Sequence, residues 1–190
     1  MKISKSYTQA QLIDGCKDNI RYMQEILYKR FAAKMFAICM RYAKNKMEAE
    51  DVLQMGFIKI FKEIGFYRNE GNFEGWMRRI MVNSAIESYR KNLRTLSIVS
   101  IENIIEEQPI AKYDFNNLEM QELLKLIQNL ADGYRMVFNM YVIEGYTHKE
   151  ISETLGISEG TSKSQLSRAR AILQQEIIKM EDFGYAKHTT

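Results

Sequence analysis

The segment GISEGTSKSQLSRARAIL, Gly156–Leu173, has no acidic residue after Glu159, and it sets Lys163, Arg168 and Arg170 among Leu166, Ala169 and Leu173 at helical spacing. Just upstream, Thr147 stands three residues before Glu150, the spacing of a capping box, and opens a predicted helix over 148–155. Gly156 can reverse the chain, Ile157 can plug the core, and Ser158 can cap a second helix from 159 to about 180. Helix, short turn and helix in this order have the geometry of a helix-turn-helix. With Leu166, Ala169 and Leu173 turned inward, Lys163, Ser164, Ser167 and Arg168 fall on outward faces, within reach of phosphates and base edges. Glu159 at the helix start suits the helix dipole without blocking them. A solvated surface helix in some other bundle remains open on these residues alone.

The rest of the chain has the same helical character. Thr8 with Gln11 and Asn45 with Glu48 repeat the capping-box spacing. Ile20, Met23, Leu27, Phe31, Met35, Ile38 and Tyr42 recur at steps of three or four and predict an amphipathic helix over 19–43. A second helix is expected over 46–64, with Gly65 as a left-handed C-cap. After the loop GFYRNEGNFEG a third helix is expected over 74–92, and further helices over 118–129 and 133–143. Between them, TLSIVSIENIIEEQPIAKYDFNN breaks the periodicity and holds the only Pro, which makes 95–118 an acidic linker. The fold class is therefore all-α: two small helical domains, 1–94 and 119–190, joined by that linker, the C-terminal one carrying the helix-turn-helix.

Composition narrows the function. The net charge of +3 hides an asymmetry: residues 1–94 hold 18 Lys and Arg against 10 Asp and Glu (net +8), and 95–118 hold 1 against 4 (net −3). The positive field belongs to the N-terminal part, where a polyanion would be met first. Cys16 and Cys39 lie far apart in helical patterns, and His148 and His188 have no clustered Cys or carboxylate at ligand spacing. Neither a disulfide framework nor a metal site is expected, and no cofactor. No apolar run is long enough for a membrane span, and the first residues lack a signal-peptide core, so a cytoplasmic protein without membrane insertion is expected. No nucleophile, base and orienting partner can be assembled, so an enzyme is not expected.

Two further helix faces carry a function. On the second helix, Ala49, Leu53, Phe57, Ile60 and Ile64 form a core stripe, while Met55 and Ile58 fall near the opposite face beside Asp51 and Gln54. Such a helix needs two neighbours: a second layer of its own domain, or a docked partner protein. On the third helix, Arg79, Asn83, Arg90 and Arg94 share a narrow sector bordered by Glu87. Beside it, Phe66, Tyr67, Asn72, Phe73 and Trp76 fit either a core or a platform for unpaired bases, which cations and aromatic faces together provide.

Taken in order, AEDVLQMGFIKIF, FEGWMRRIMVNSAIESYRK and RMVFNMYVIEGYTHKEISETLGISEGTSKSQLSRARAIL resemble the extracytoplasmic-function sigma factors of bacteria over nearly the whole chain. The resemblance implies a factor that binds core RNA polymerase, recognises promoter −10 and −35 elements and helps open the duplex, with an anti-sigma factor as a further partner. It implies that Asp51, Gln54, Met55 and Ile58 dock on polymerase, and that Tyr67, Asn72, Arg79, Asn83, Arg90 and Lys91 serve −10 recognition and melting. It also assigns Lys163, Ser164, Ser167 and Arg168 to the −35 element. Domain 1–94 would then dock and melt, the linker would thread polymerase channels, and 119–190 would read the −35 element. Three positions depart from the family pattern: Ser162 where Val is common, Gly56 in place of Thr, and Leu130-Ala131 where Leu-Pro is usual. The alternative is a free-standing dimeric helix-turn-helix regulator with an N-terminal helical effector domain, bound to a palindromic operator.

Overall fold

The computed structural model describes residues 7–68, 70–96 and 118–187, and among them the chain is helical without a strand. The helices are α1 (Gln9–Lys17), α2 (Arg21–Tyr42), α3 (Lys46–Glu63), α4 (Phe73–Leu96), α5 (Leu118–Gln128), α6 (Asp132–Phe138), α7 (His148–Leu155) and α8 (Glu159–Lys187). A 3₁₀ turn, Ile64–Phe66, follows α3, and a π-helical turn, Asn139–Ile143, follows α6. The chain divides into two compact units, the first of residues up to Cys39 with Met47–Ser88, the second of Met40–Lys46 with Tyr89 onward. Apart from helical residues at its two ends, the acidic linker expected over 95–118 lies outside the described residues.

In the first unit, Thr8 starts α1 with a complete capping box, its hydroxyl accepting from the Gln11 amide while Gln11 reaches back to the Thr8 amide. Asn19 ends that helix at φ 56°, and the Ile20 amide donates to Gly15 O across the reversal. This is why α2 begins at Arg21 rather than at 19, and why Ile20 is exposed instead of heading the buried stripe. The remainder of that stripe is buried as its spacing requires, Leu27, Phe31, Met35 and Ile38 in this unit and Tyr42 in the second. Ala49, Leu53, Phe57, Ile60 and Ile64 are likewise buried. Gly65 is not the left-handed cap that its position suggested: α3 tightens into the 3₁₀ turn, and Gly65 has no positive φ.

The second unit is organised around a residue that periodicity does not reveal. Arg135, only 3% exposed, donates to the carbonyls of Tyr42, Gln128 and Leu130 and to Asp132 Oδ1 at 2.6–3.0 Å. A planar guanidinium can serve several fixed acceptors at once, and each of its three nitrogens here has a partner. Asn139, fully buried, donates to Arg41 O and Arg135 O. The helix expected over 133–143 is thus interrupted: after Phe138 it widens into the π turn, where the Glu144 amide donates to Asn139 O.

Candidate polymerase-docking and nucleic-acid interfaces

The C-terminal motif forms as a helix-turn-helix. Thr147 caps α7 with its complete box, Glu150 closing onto the Thr147 amide and hydroxyl. Those hydrogen bonds hold the Glu150 carboxyl below its ordinary pKa. Gly156 takes the left-handed conformation, φ 71°, that ends α7, and the Ser158 hydroxyl accepts from the Thr161 amide at 3.0 Å to open α8. Ile151 and Leu155 are buried from α7, and Leu166, Ala169 and Leu173 from α8. Ala169 and Leu173 pack with Leu130, and Leu126, Ile127, Tyr134 and Phe138 lie against them. Ile157 is only half-buried, so it plugs the turn less completely than expected.

With that stripe fixed, Lys163, Ser164, Ser167 and Arg168 are all exposed on the far side of α8. They are not equivalent. The Arg168 guanidinium bonds the Tyr134 hydroxyl at 3.2 Å, which pushes its pKa further up and holds the side chain toward α6. Ser164 Oγ donates to Thr161 O in its own helix, which occupies its proton. Ser162, one residue before Lys163, is fully buried with its hydroxyl 2.9 Å from His148 Nδ1. The departure at 162 therefore puts a polar contact between the two helices of the motif.

In the first unit, Asp51, Gln54, Met55 and Ile58 are exposed together on α3, opposite its core stripe; Met55 is 40% and Ile58 67% exposed. Met47 joins them, also exposed, and its place eight residues before Met55 was the sequence signal for it. Of the two readings left open for this face, the second layer of the same domain is the one that these exposures disfavour. Gly56, on the buried side, is explained by α4: a Cβ there would collide with Met81 Sδ.

The loop before α4 separates its aromatics. Tyr67 is buried, its ring 5.1 Å from Phe73 and 5.2 Å from Trp76, and its hydroxyl donates to Gly71 O. Gly71 at φ 83° gives the loop its reversal, and Asn72 Oδ1 accepts from the Glu74 amide to cap α4. Phe66, by contrast, is 83% exposed. Thus Tyr67 shapes the loop from inside, whereas Asn72 is exposed at its end. Along α4, Arg79, Asn83, Arg90 and Lys91 are exposed, and the bordering Glu87 is paired with Lys59 at 2.6 Å. Among the described residues no cluster could hold a metal ion, and no helix is long and apolar enough to cross a membrane.

A basic face on α4 beside an aromatic loop, together with a helix-turn-helix at α7 and α8, fits a protein that binds nucleic acid. Residues 27–95 match sigma-70 region 2 and residues 120–173 match sigma-70 region 4. The chain belongs to the sigma-70 family, as a promoter-recognising extracytoplasmic-function sigma factor. It is 27% identical over 157 residues to the ECF RNA polymerase sigma factor SigE of Mycolicibacterium smegmatis, covering 80% of this chain and 61% of that one. With the ECF RNA polymerase sigma factor SigW of Bacillus subtilis it shares 28% identity over 159 residues, 76% of this chain and 83% of the relative. Its fold is similar to the sigma factor RpoE of Bartonella quintana, solved in complex with the anti-sigma factor NepR (TM-score 0.51, 22% identity, 80% of this chain and 94% of that one). The match of 27–95 to region 2 disfavours the dimeric regulator, whose N-terminal part would have been an effector domain.

Proposed function

We propose that the chain binds core RNA polymerase through the exposed face of α3, reads the −35 element with α8 and captures opened −10 DNA along α4 and the preceding loop. The observation that carries the reading is the double-sided α3. Its core stripe is buried while Asp51, Gln54, Met55 and Ile58 stand together in solvent, the arrangement of a helix awaiting a second neighbour. Polymerase is that neighbour. In the −10 region Arg79, Arg90 and Lys91 attract the backbone, Asn83 and Asn72 offer amides to a displaced base, and Tyr67 holds the loop in shape. In the −35 region Lys163, Ser164 and Ser167 enter the major groove, and Arg168, braced by Tyr134, meets the phosphate backbone at its edge. The first domain, 1–94, docks and melts, the segment 95–118 links, and 119–190 reads the −35 element.

The chain acts in the cytoplasm, without catalysis or cofactor of its own, and is restrained by an anti-sigma factor of the kind seen with the Bartonella quintana relative. Size-exclusion chromatography with core polymerase, followed by a gel shift on promoter DNA, tests the reading. Co-elution and a shift that requires core enzyme support it. A free chain that shifts a palindromic duplex as a dimer contradicts it.

A further inference from the structure

We propose that His148 donates its Nε2–H to a backbone phosphate of the −35 DNA, and that buried Ser162 is the positioning residue that makes it a donor. The inference rests on the reading of α8 as the −35 recognition helix.

Ser162 faces the interior of the helix-turn-helix, yet carries a hydroxyl. A buried hydroxyl without a partner is costly, and this one meets His148 Nδ1 at 2.9 Å. A neutral imidazole has one protonated and one bare nitrogen, and the hydrogen bond at one nitrogen decides the other. When the Ser162 hydroxyl donates to Nδ1, the imidazole proton sits on Nε2, at the opposite edge of the ring. Nε2 has no hydrogen-bond partner among the described residues.

The ring is also fixed in its plane. Tyr141 stacks on it with centroids 4.5 Å apart and planes 24° apart, and the Arg170 guanidinium lies 5.8 Å from the Tyr141 centroid. Arg170, Tyr141, His148 and Ser162 thus form a chain of contacts that leaves α8, crosses to the first residue of α7 and returns to α8 beside Lys163. His148 is half-buried, and Lys149, the next residue of α7, is exposed. In a helix-turn-helix docked on DNA the first helix crosses the sugar–phosphate backbone while the second enters the groove. A fixed N–H at the start of α7 meets a phosphate oxygen there, and it adds affinity without reading sequence.

The test uses holoenzyme assembled from the full chain and core polymerase, with anisotropy of a labelled promoter duplex. His148→Phe keeps an aromatic ring for Tyr141 but has no donor; His148→Gln keeps an N–H near the Nε2 position. His148→Phe should weaken binding roughly tenfold on every −35 sequence alike, and His148→Gln should restore most of it. Ser162→Ala should weaken binding when His148 is present and have no effect when added to His148→Phe, and ¹⁵N NMR should show the Nε2–H tautomer giving way to a mixture. Methylphosphonates placed singly along the −35 strands should reveal one position that weakens the unaltered protein and leaves His148→Phe unchanged. An active holoenzyme in which His148→Phe binds as the unaltered chain overturns the inference, as does Ser162→Ala acting equally in both backgrounds. Failure of the unaltered chain to direct initiation overturns the sigma-factor reading instead.

Discussion

The Met81 thioether fills the space that a side chain at position 56 would occupy, so that α3 and α4 touch through a glycine and a methionine. Extra atoms in a packed core force neighbours off their rotamers, at a cost of about 1–3 kcal/mol. Gly56→Ala should destabilise the first unit by that order, and Met81→Ala in the same chain should recover part of the loss. The single tryptophan, Trp76, lies in this unit, so urea unfolding followed by its fluorescence measures the effect. Equal unfolding midpoints for Gly56→Ala and the unaltered chain would contradict the account of this contact.

Ala131, immediately before α6, has φ −54° and ψ 143°, and no side-chain hydrogen bond caps the helix there. That φ is the one proline imposes, and proline is favoured where its missing amide and rigid ring fit an existing turn. Ala131→Pro should raise the stability of the second unit by about 0.4–1 kcal/mol through the unfolded chain. Calorimetry checks it, and a lowered melting temperature would show that Leu130 cannot accept a following proline.

How much of this was legible in the sequence differs from one feature to the next. Capping boxes at Thr8 and Thr147 and the turn at Gly156 were readable because each depends on a few neighbouring residues. The exposed set on α3 was readable because a buried stripe fixes which residues lie opposite it. Arg135 was not, because its acceptors at Tyr42, Gln128 and Leu130 are main-chain carbonyls that no side-chain pattern marks. Ser162 stood out as a departure, but its partner His148 lies 14 residues away across the turn, a pairing set by tertiary packing. Among the loop aromatics, composition could not separate exposed Phe66 from buried Tyr67, since the alternation depends on the backbone after the 3₁₀ turn.

Lys163 and Arg168 should fail in different ways. Lys163→Ala should relax specificity at one promoter position, with about 1–3 kcal/mol less discrimination there. Arg168 is held toward α6 by Tyr134, and with the backbone contact proposed for it Arg168→Ala should weaken every promoter alike and reduce the salt dependence of binding. Binding measured over a panel of single-base −35 variants separates the two. Identical losses at every position for both substitutions would contradict the division.

Burial pushes the Cys16 thiol from 9.0 up to about 11. Its neutral form is favoured by folding, so this contribution is complete below pH 9 and is lost as the pH rises through about 11. The native protein should therefore resist thiol reagents near pH 8 and become less stable between those two values, both Cys16 and Cys39 being buried. Rapid labelling of Cys16 in the folded protein would contradict its placement.

The central claim is that this chain gives core polymerase its promoter, and run-off transcription tests it most directly. Core enzyme with the unaltered chain should initiate at one start site on its cognate promoter, and core enzyme alone should not. With Met55→Asp and Ile58→Asp together, both the transcript and co-purification with core should be lost while the helical circular dichroism is unchanged. Retained transcription with that double substitution would return Met55 and Ile58 to a structural role, and no transcript with the unaltered chain on any promoter would contradict the claim itself.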